Sequence, residues 1–125
     1  MLSNTGILIV EDEAIIASAM EVMLRRRGYN PIGIAGTGMD AIRKVRELHP
    51  GMVLMDVRLR GSMSGIEAGR QIEAEHSLLI IYMTAFTAGR ALQLPPSARY
   101  LPKPFAPAQL FDAIESALAQ ETTKH

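Results

Sequence analysis

The stretch Gly6-Ile7-Leu8-Ile9-Val10-Glu11-Asp12 is an apolar run of strand length that ends abruptly on two acids. The same grammar recurs three times downstream. Met52 to Met55 runs into Asp56, Leu78 to Met83 into Thr84, and Arg99 to Pro102 into Lys103. Apolar runs without polar alternation are the pattern of strands buried on both faces, as in parallel sheets covered by helices. If the four runs are parallel strands, their endpoints lie along one edge of one sheet, where open α/β sheets bind ligands. Three carboxylates, a hydroxyl and an ammonium gathered there describe a site for a divalent cation and a phosphoryl group.

Between the runs the period changes to that of helices. Glu13 to Arg27 places Ile16, Ala19, Met20, Met23 and Leu24 on one helical face, and Gly28 supplies the stop. A strand follows near Pro31 to Ala35. Thr37 then caps a helix over Gly38 to His49, which His49-Pro50-Gly51 ends. Beyond the loop from Val57 to Met63, Ser64 caps a helix reaching Glu75, and Pro107 opens a last helix to Gln120. Phe86 to Leu94, with Gly89 inside and Pro95-Pro96 after it, leaves room for at most about two helical turns. Strands alternating with helices give right-handed crossovers and an α/β, doubly wound, five-stranded parallel sheet with helices on both faces.

The composition sets limits. At 125 residues the chain reads as one domain, 1–125, with a core over 6–119 and a frayed tail over 121–125. Thirteen basic and thirteen acidic residues cancel, so no global field draws the chain to nucleic acid or to an anionic membrane. The absence of cysteine excludes disulfides and thiolate metal sites. Met1 to Gly6 has no signal-peptide pattern, and no apolar run approaches the ~20 residues of a membrane span, so a cytoplasmic location is expected.

Carboxylates about 4 Å apart repel by on the order of 1–4 kcal/mol per pair, so one is protonated or a cation sits among them. Oxygen donors without His or Cys favour Mg²⁺. An aspartate beside such an ion can attack phosphorus and form an acyl phosphate. Asp56, on what should be a central strand next to the one carrying Glu11 and Asp12, is the candidate nucleophile. Lys103 would neutralise charge on the transferred group, and the Thr84 hydroxyl would donate to it.

With these roles stated, ILIVEDE (Ile7 to Glu13), VLMDVRL (Val53 to Leu59), YMTA (Tyr82 to Ala85) and YLPKPF (Tyr100 to Phe105) together resemble the receiver domain of bacterial two-component response regulators, in register from Gly6 to Ala119. The resemblance implies the flavodoxin-like strand order 2-1-3-4-5. It implies Glu11 and Asp12 as Mg²⁺ ligands, Asp56 as phospho-acceptor and third ligand, and the backbone carbonyl of Arg58 as a fourth. Thr84 and Lys103 then bind the phosphoryl group, Tyr100 is the aromatic switch residue, and the Lys103-Pro104 peptide is cis. The expected donor is a histidine kinase or histidine phosphotransfer protein, and the expected output is contact with a further protein, with phosphorylation-dependent dimerisation left open. Such a chain is no enzyme beyond promoting its own phosphorylation and dephosphorylation. With no output domain in the sequence given, it reads as a stand-alone regulator or as a receiver cut from a longer protein.

Three places depart from the pattern. The span from Asp56 to Gly65 is one residue longer than the commonest spacing, through Arg58-Leu59-Arg60-Gly61-Ser62-Met63. Pro95-Pro96-Ser97-Ala98 replaces the usual small turn before Tyr100. Arg58 and Phe86, two residues after Asp56 and Thr84, offer no carboxylate or amide to orient an attacking water, so a long-lived phosphoryl group is expected. Rival readings are a pseudo-receiver that docks partners without phosphorylation, a dehalogenase-type phosphatase, which would want an acid where Arg58 stands, and a flavodoxin-like carrier, which would want more aromatic residues.

Overall fold

A computed structural model describes residues 4–85 and 98–123. Five strands, β1 (Gly6–Val10), β2 (Asn30–Ala35), β3 (Met52–Asp56), β4 (Leu79–Thr84) and β5 (Arg99–Pro102), form one sheet in the order β2-β1-β3-β4-β5, with every neighbouring pair parallel. The helices are α1 (Ala14–Arg27), α2 (Gly38–Leu48), α3 (Gly65–Glu75) and α4 (Pro107–Thr123). The expected helix over Phe86 to Leu94 lies outside the described residues.

Alternate strand residues feed two cores. Ile7, Ile9, Met52, Leu54, Ile81 and Met83 pack with Ala17, Met20 and Leu24 of α1 and with Leu110, Ile114 and Ala117 of α4. Leu8, Val10, Val53, Met55, Ile80 and Tyr82 pack with Ala41, Ile42 and Val45 of α2 and with Ala68 and Ile72 of α3. Helices therefore cover both faces, which is why the strands show no polar alternation.

Local signals place the helix ends. The Thr37 side chain accepts a hydrogen bond from the Asp40 amide, and Ser64 and Glu67 form a reciprocal capping box. Gly28 closes α1 at φ 94°, a left-handed turn that glycine adopts without strain, directly after Arg25, Arg26 and Arg27. Arg27 lies over the Phe111 ring at 5.1 Å and reaches Glu115 at 3.3 Å, tying α1 to α4.

Two expectations are corrected. The inward stripe of α1 is Ala17, Met20 and Leu24; Ile16 and Ala19 of the expected face are exposed, and Ile15 is 86% exposed. The α1 sequence is apolar over more than one stripe, so periodicity offers two overlapping faces, and packing against β1 and β2 selects the narrower. The last helix runs past its expected end at Gln120 to Thr123, because nothing in Gln-Glu-Thr-Thr stops a helix.

The closest approaches fall at two α3 glycines. A β-carbon on Gly65 would stand 1.9 Å from the main-chain oxygen of Asp56, and one on Gly69 would stand 2.0 Å from the Tyr82 hydroxyl. That hydroxyl is buried, with no hydrogen-bond partner among the described residues, and burial pushes its pKa up to about 12. Gly65→Ala must move α3 away from the end of β3, and is expected to lower the unfolding free energy by about 1–3 kcal/mol in urea titration. An unchanged midpoint would show that α3 does not rest on the Asp56 backbone as described.

Candidate functional site

Four strand ends deliver the site. Glu11 follows β1, its amide donating to the Ala35 carbonyl (3.0 Å), and Asp56 closes β3. Thr84 closes β4, and its carbonyl accepts from the Lys103 amide (2.7 Å) just beyond β5. Since β1 and β3 are adjacent while their crossovers lead to opposite sides, the two acid-bearing ends flank the crevice where the strand order reverses.

Glu11, Asp56 and Thr84 are the buried polar residues of the described chain, at 2%, 6% and 3% exposure. One carboxylate oxygen from each of Glu11, Asp12 and Asp56 lies within 4.8 Å of the others. The Lys103 ammonium bridges two of these acids, donating to Glu11 Oε2 and to Asp56 Oδ2 at 3.1 Å each. The other Asp56 oxygen accepts from the Arg58 amide at 3.2 Å, and Glu11 Oε1 accepts from the Glu13 amide at 3.3 Å. The Lys103-Pro104 peptide is cis, as the resemblance implies.

The electrostatics follow from this crowding. Burial, and then the Asp56 charge, raise the Glu11 pKa from 4.5 to about 6 despite the hydrogen bond from Lys103. Burial opposes the Lys103 charge, but Asp56 and Glu11 together outweigh it and hold the ammonium pKa above its usual value. Three carboxylates against this one ammonium leave an excess of negative charge on hard oxygen donors, without nitrogen or sulfur ligands, which suits Mg²⁺.

Sequence reasoning named Glu11, Asp12, Asp56, Thr84 and Lys103, and all five stand at this edge. Tyr100 lies on β5 in register with Tyr82, 50% exposed, and Arg58 is brought to Asp56 through its amide. Phe86 lies outside the described residues. Arg60 was missed: its Nε is 3.5 Å from Asp12 Oδ2, and its main chain forms a parallel bridge with Thr37. The doubled arginine in the longer loop was its only sequence signal.

The raised Glu11 pKa has a definite sign. Above pH 4.5 the unfolded chain gives up a proton that the folded site keeps until about pH 6. The unfolding free energy of chelator-treated protein should therefore fall as pH rises through that window, by at most about 2 kcal/mol. Urea titrations of wild type and Glu11→Gln, compared at both ends of the window, isolate this contribution; identical pH dependence in the two proteins would refute it.

Residues 7–115 match the family described as "Response regulator receiver domain". The chain is 37% identical over 118 residues to the transcriptional regulatory protein PdtaR of Mycobacterium tuberculosis, covering 91% of this chain and 57% of that protein. It is 35% identical over 117 residues to the phyllosphere-induced regulator PhyR of Methylorubrum extorquens, covering 91% and 43%. The chain thus spans about half the length of the curated relatives it matches. Among solved structures it is similar to the response regulator PhyR of Brucella abortus, with TM-score 0.85, 32% identity, and coverage of 98% of this chain and 51% of that one. It is also similar to the receiver domain of the sensor histidine kinase PA1611 of Pseudomonas aeruginosa, which holds a magnesium ion in its active-site cleft, with TM-score 0.80, 30% identity, and coverage of 94% and 99%. A five-stranded parallel sheet in the order 2-1-3-4-5, an acidic crevice at its carboxyl edge and these likenesses together place the chain in the response regulator receiver domain family.

Proposed function

We propose that this chain is a phosphorylation-switched receiver in which Asp56 takes a phosphoryl group from a phosphohistidine of a histidine kinase or phosphotransfer protein. The observation that carries this reading is the buried Asp56 carboxylate, held between the Lys103 ammonium and the amide of Arg58. In the transfer an Asp56 oxygen forms a bond to phosphorus as the phosphorus–nitrogen bond to the donor imidazole breaks. The imidazole leaves with the electron pair and takes up a proton. Lys103, already between Glu11 and Asp56, stays within reach of the new phosphoryl oxygens, and its raised pKa keeps it charged.

Glu11, Asp12, Asp56 and the Arg58 carbonyl would hold Mg²⁺, which when bound supplies positive charge against the phosphoryl oxygens and the crowded carboxylates. Thr84, at the buried end of β4, offers its hydroxyl to the same oxygens, and Tyr100, on the neighbouring strand, is the residue that would report the change at the surface. The chain is no enzyme on this reading beyond its own phosphorylation and dephosphorylation, and it works in the cytoplasm. Among the described residues no helix is long and apolar enough to cross a membrane.

A docking face for the donor lies beside the site. Ile15, Ile16, Ala19, Met20 and Met23 of α1 face Lys103, Pro104 and Phe105 across an apolar groove of about 460 Å³. Because Lys103 borders both groove and site, a protein seated there brings its histidine to the crevice mouth.

Incubation with a small-molecule phosphodonor and Mg²⁺ is expected to add one phosphoryl mass that Asp56→Asn abolishes, and the adduct should decay over minutes or longer. No adduct on a folded protein would favour a pseudo-receiver, and steady phosphate release from monoesters a phosphatase. Ile15→Glu should slow phosphorylation by a protein donor about tenfold while leaving the small-donor rate unchanged; equal slowing with both donors would remove the groove from the docking face.

A further inference from the structure

We propose that Arg60 is a built-in competitor for the cation site, a guanidinium that the loop between β3 and α3 holds against Asp12 and that a divalent cation must displace. The inference rests on the metal reading above. Lys103 takes Glu11 and Asp56, one oxygen each. Arg60 takes Asp12, with Nε 3.5 Å from Oδ2. Two cationic side chains thus divide three carboxylates between them.

The placement of Arg60 is built at both ends. Its main chain pairs with Thr37 in a parallel bridge outside the main sheet, and Thr37 is itself fixed as the N-cap of α2. Gly61 follows at φ 98°, a left-handed turn that takes the loop away immediately after the bridge. The arginine is therefore tethered over the crevice within a loop one residue longer than the common spacing. Asp12 is the most accessible acid of the three, its side chain 18% exposed against 1% and 8% for Glu11 and Asp56, and it is the first one an entering cation meets.

The Arg60 side chain is 77% exposed, so its hold on Asp12 is that of a surface ion pair: enough to tune affinity and too little to close the site. A cation that binds Asp12 must break this pair and lies close to a second positive charge. Without Arg60, both costs vanish. The charge balance also changes, since Arg60 offsets part of the negative excess that Lys103 leaves.

Calorimetric titration of Mg²⁺ into wild type, Arg60→Gln, Arg60→Lys and Arg70→Gln tests this. Arg60→Gln should bind about two- to fivefold more tightly, and the gap should narrow as salt screens the exposed pair. Arg60→Lys, which keeps the charge, should remain near wild type, and Arg70→Gln, an exposed charge change on α3, should match wild type. Thermal melts establish that the variants are folded. Equal or weaker binding by Arg60→Gln overturns the inference and leaves the metal site standing. Absence of Mg²⁺ binding in every protein overturns the metal reading and the inference with it.

Discussion

The bridge from Lys103 to Glu11 and Asp56 is the interaction on which the carboxyl edge of this sheet depends. Two buried carboxylates a few ångströms apart, with a third beside them, are costly in a medium less polar than water. One ammonium shared between them makes the arrangement tolerable, while burial and then the Asp56 charge still hold the Glu11 pKa up at about 6. Such a site is poised, because any further positive charge entering it relieves strain already present. The chemistry proposed for Asp56 uses that condition.

Much of this was legible in the sequence because strands buried on both faces leave little choice of what sits inside them. An acid or a threonine closing an apolar run has to be at an edge, and four such runs in a crossover fold share the same edge. Helix ends at Thr37, Ser64 and Gly28 were equally plain, each being a local matter of one hydrogen bond or one dihedral angle. The choice of inward stripe on α1 was not local. Ile15, Ile16 and Ala19 suit a core as well as Ala17, Met20 and Leu24 do, and only the position of the sheet decides between them.

Arg60 escaped for a related reason. A loop residue carries no period, and its partners, Thr37 and Asp12, lie far away along the chain. The extra residue in the loop signalled that something differed there without saying what. The switching proposed for Thr84 and Tyr100 would depend on movement, and a pattern of residue types carries no record of movement.

The contact of Gly65 with the main-chain oxygen of Asp56 has a mechanical consequence. Side chains between a helix and a strand act as a cushion, since rotamers can absorb small displacements. At this junction the cushion is missing: α3 begins with backbone resting on backbone, and the Gly65 amide donates to the Val57 carbonyl at 2.9 Å. A shift of the Asp56 peptide of even a fraction of an ångström has no slack to dissipate in and is passed to the first turn of α3 as a push. The helix is in effect a rigid lever whose short arm touches the backbone of Asp56, and whose far end, at Glu75, is linked to α2 through Arg46.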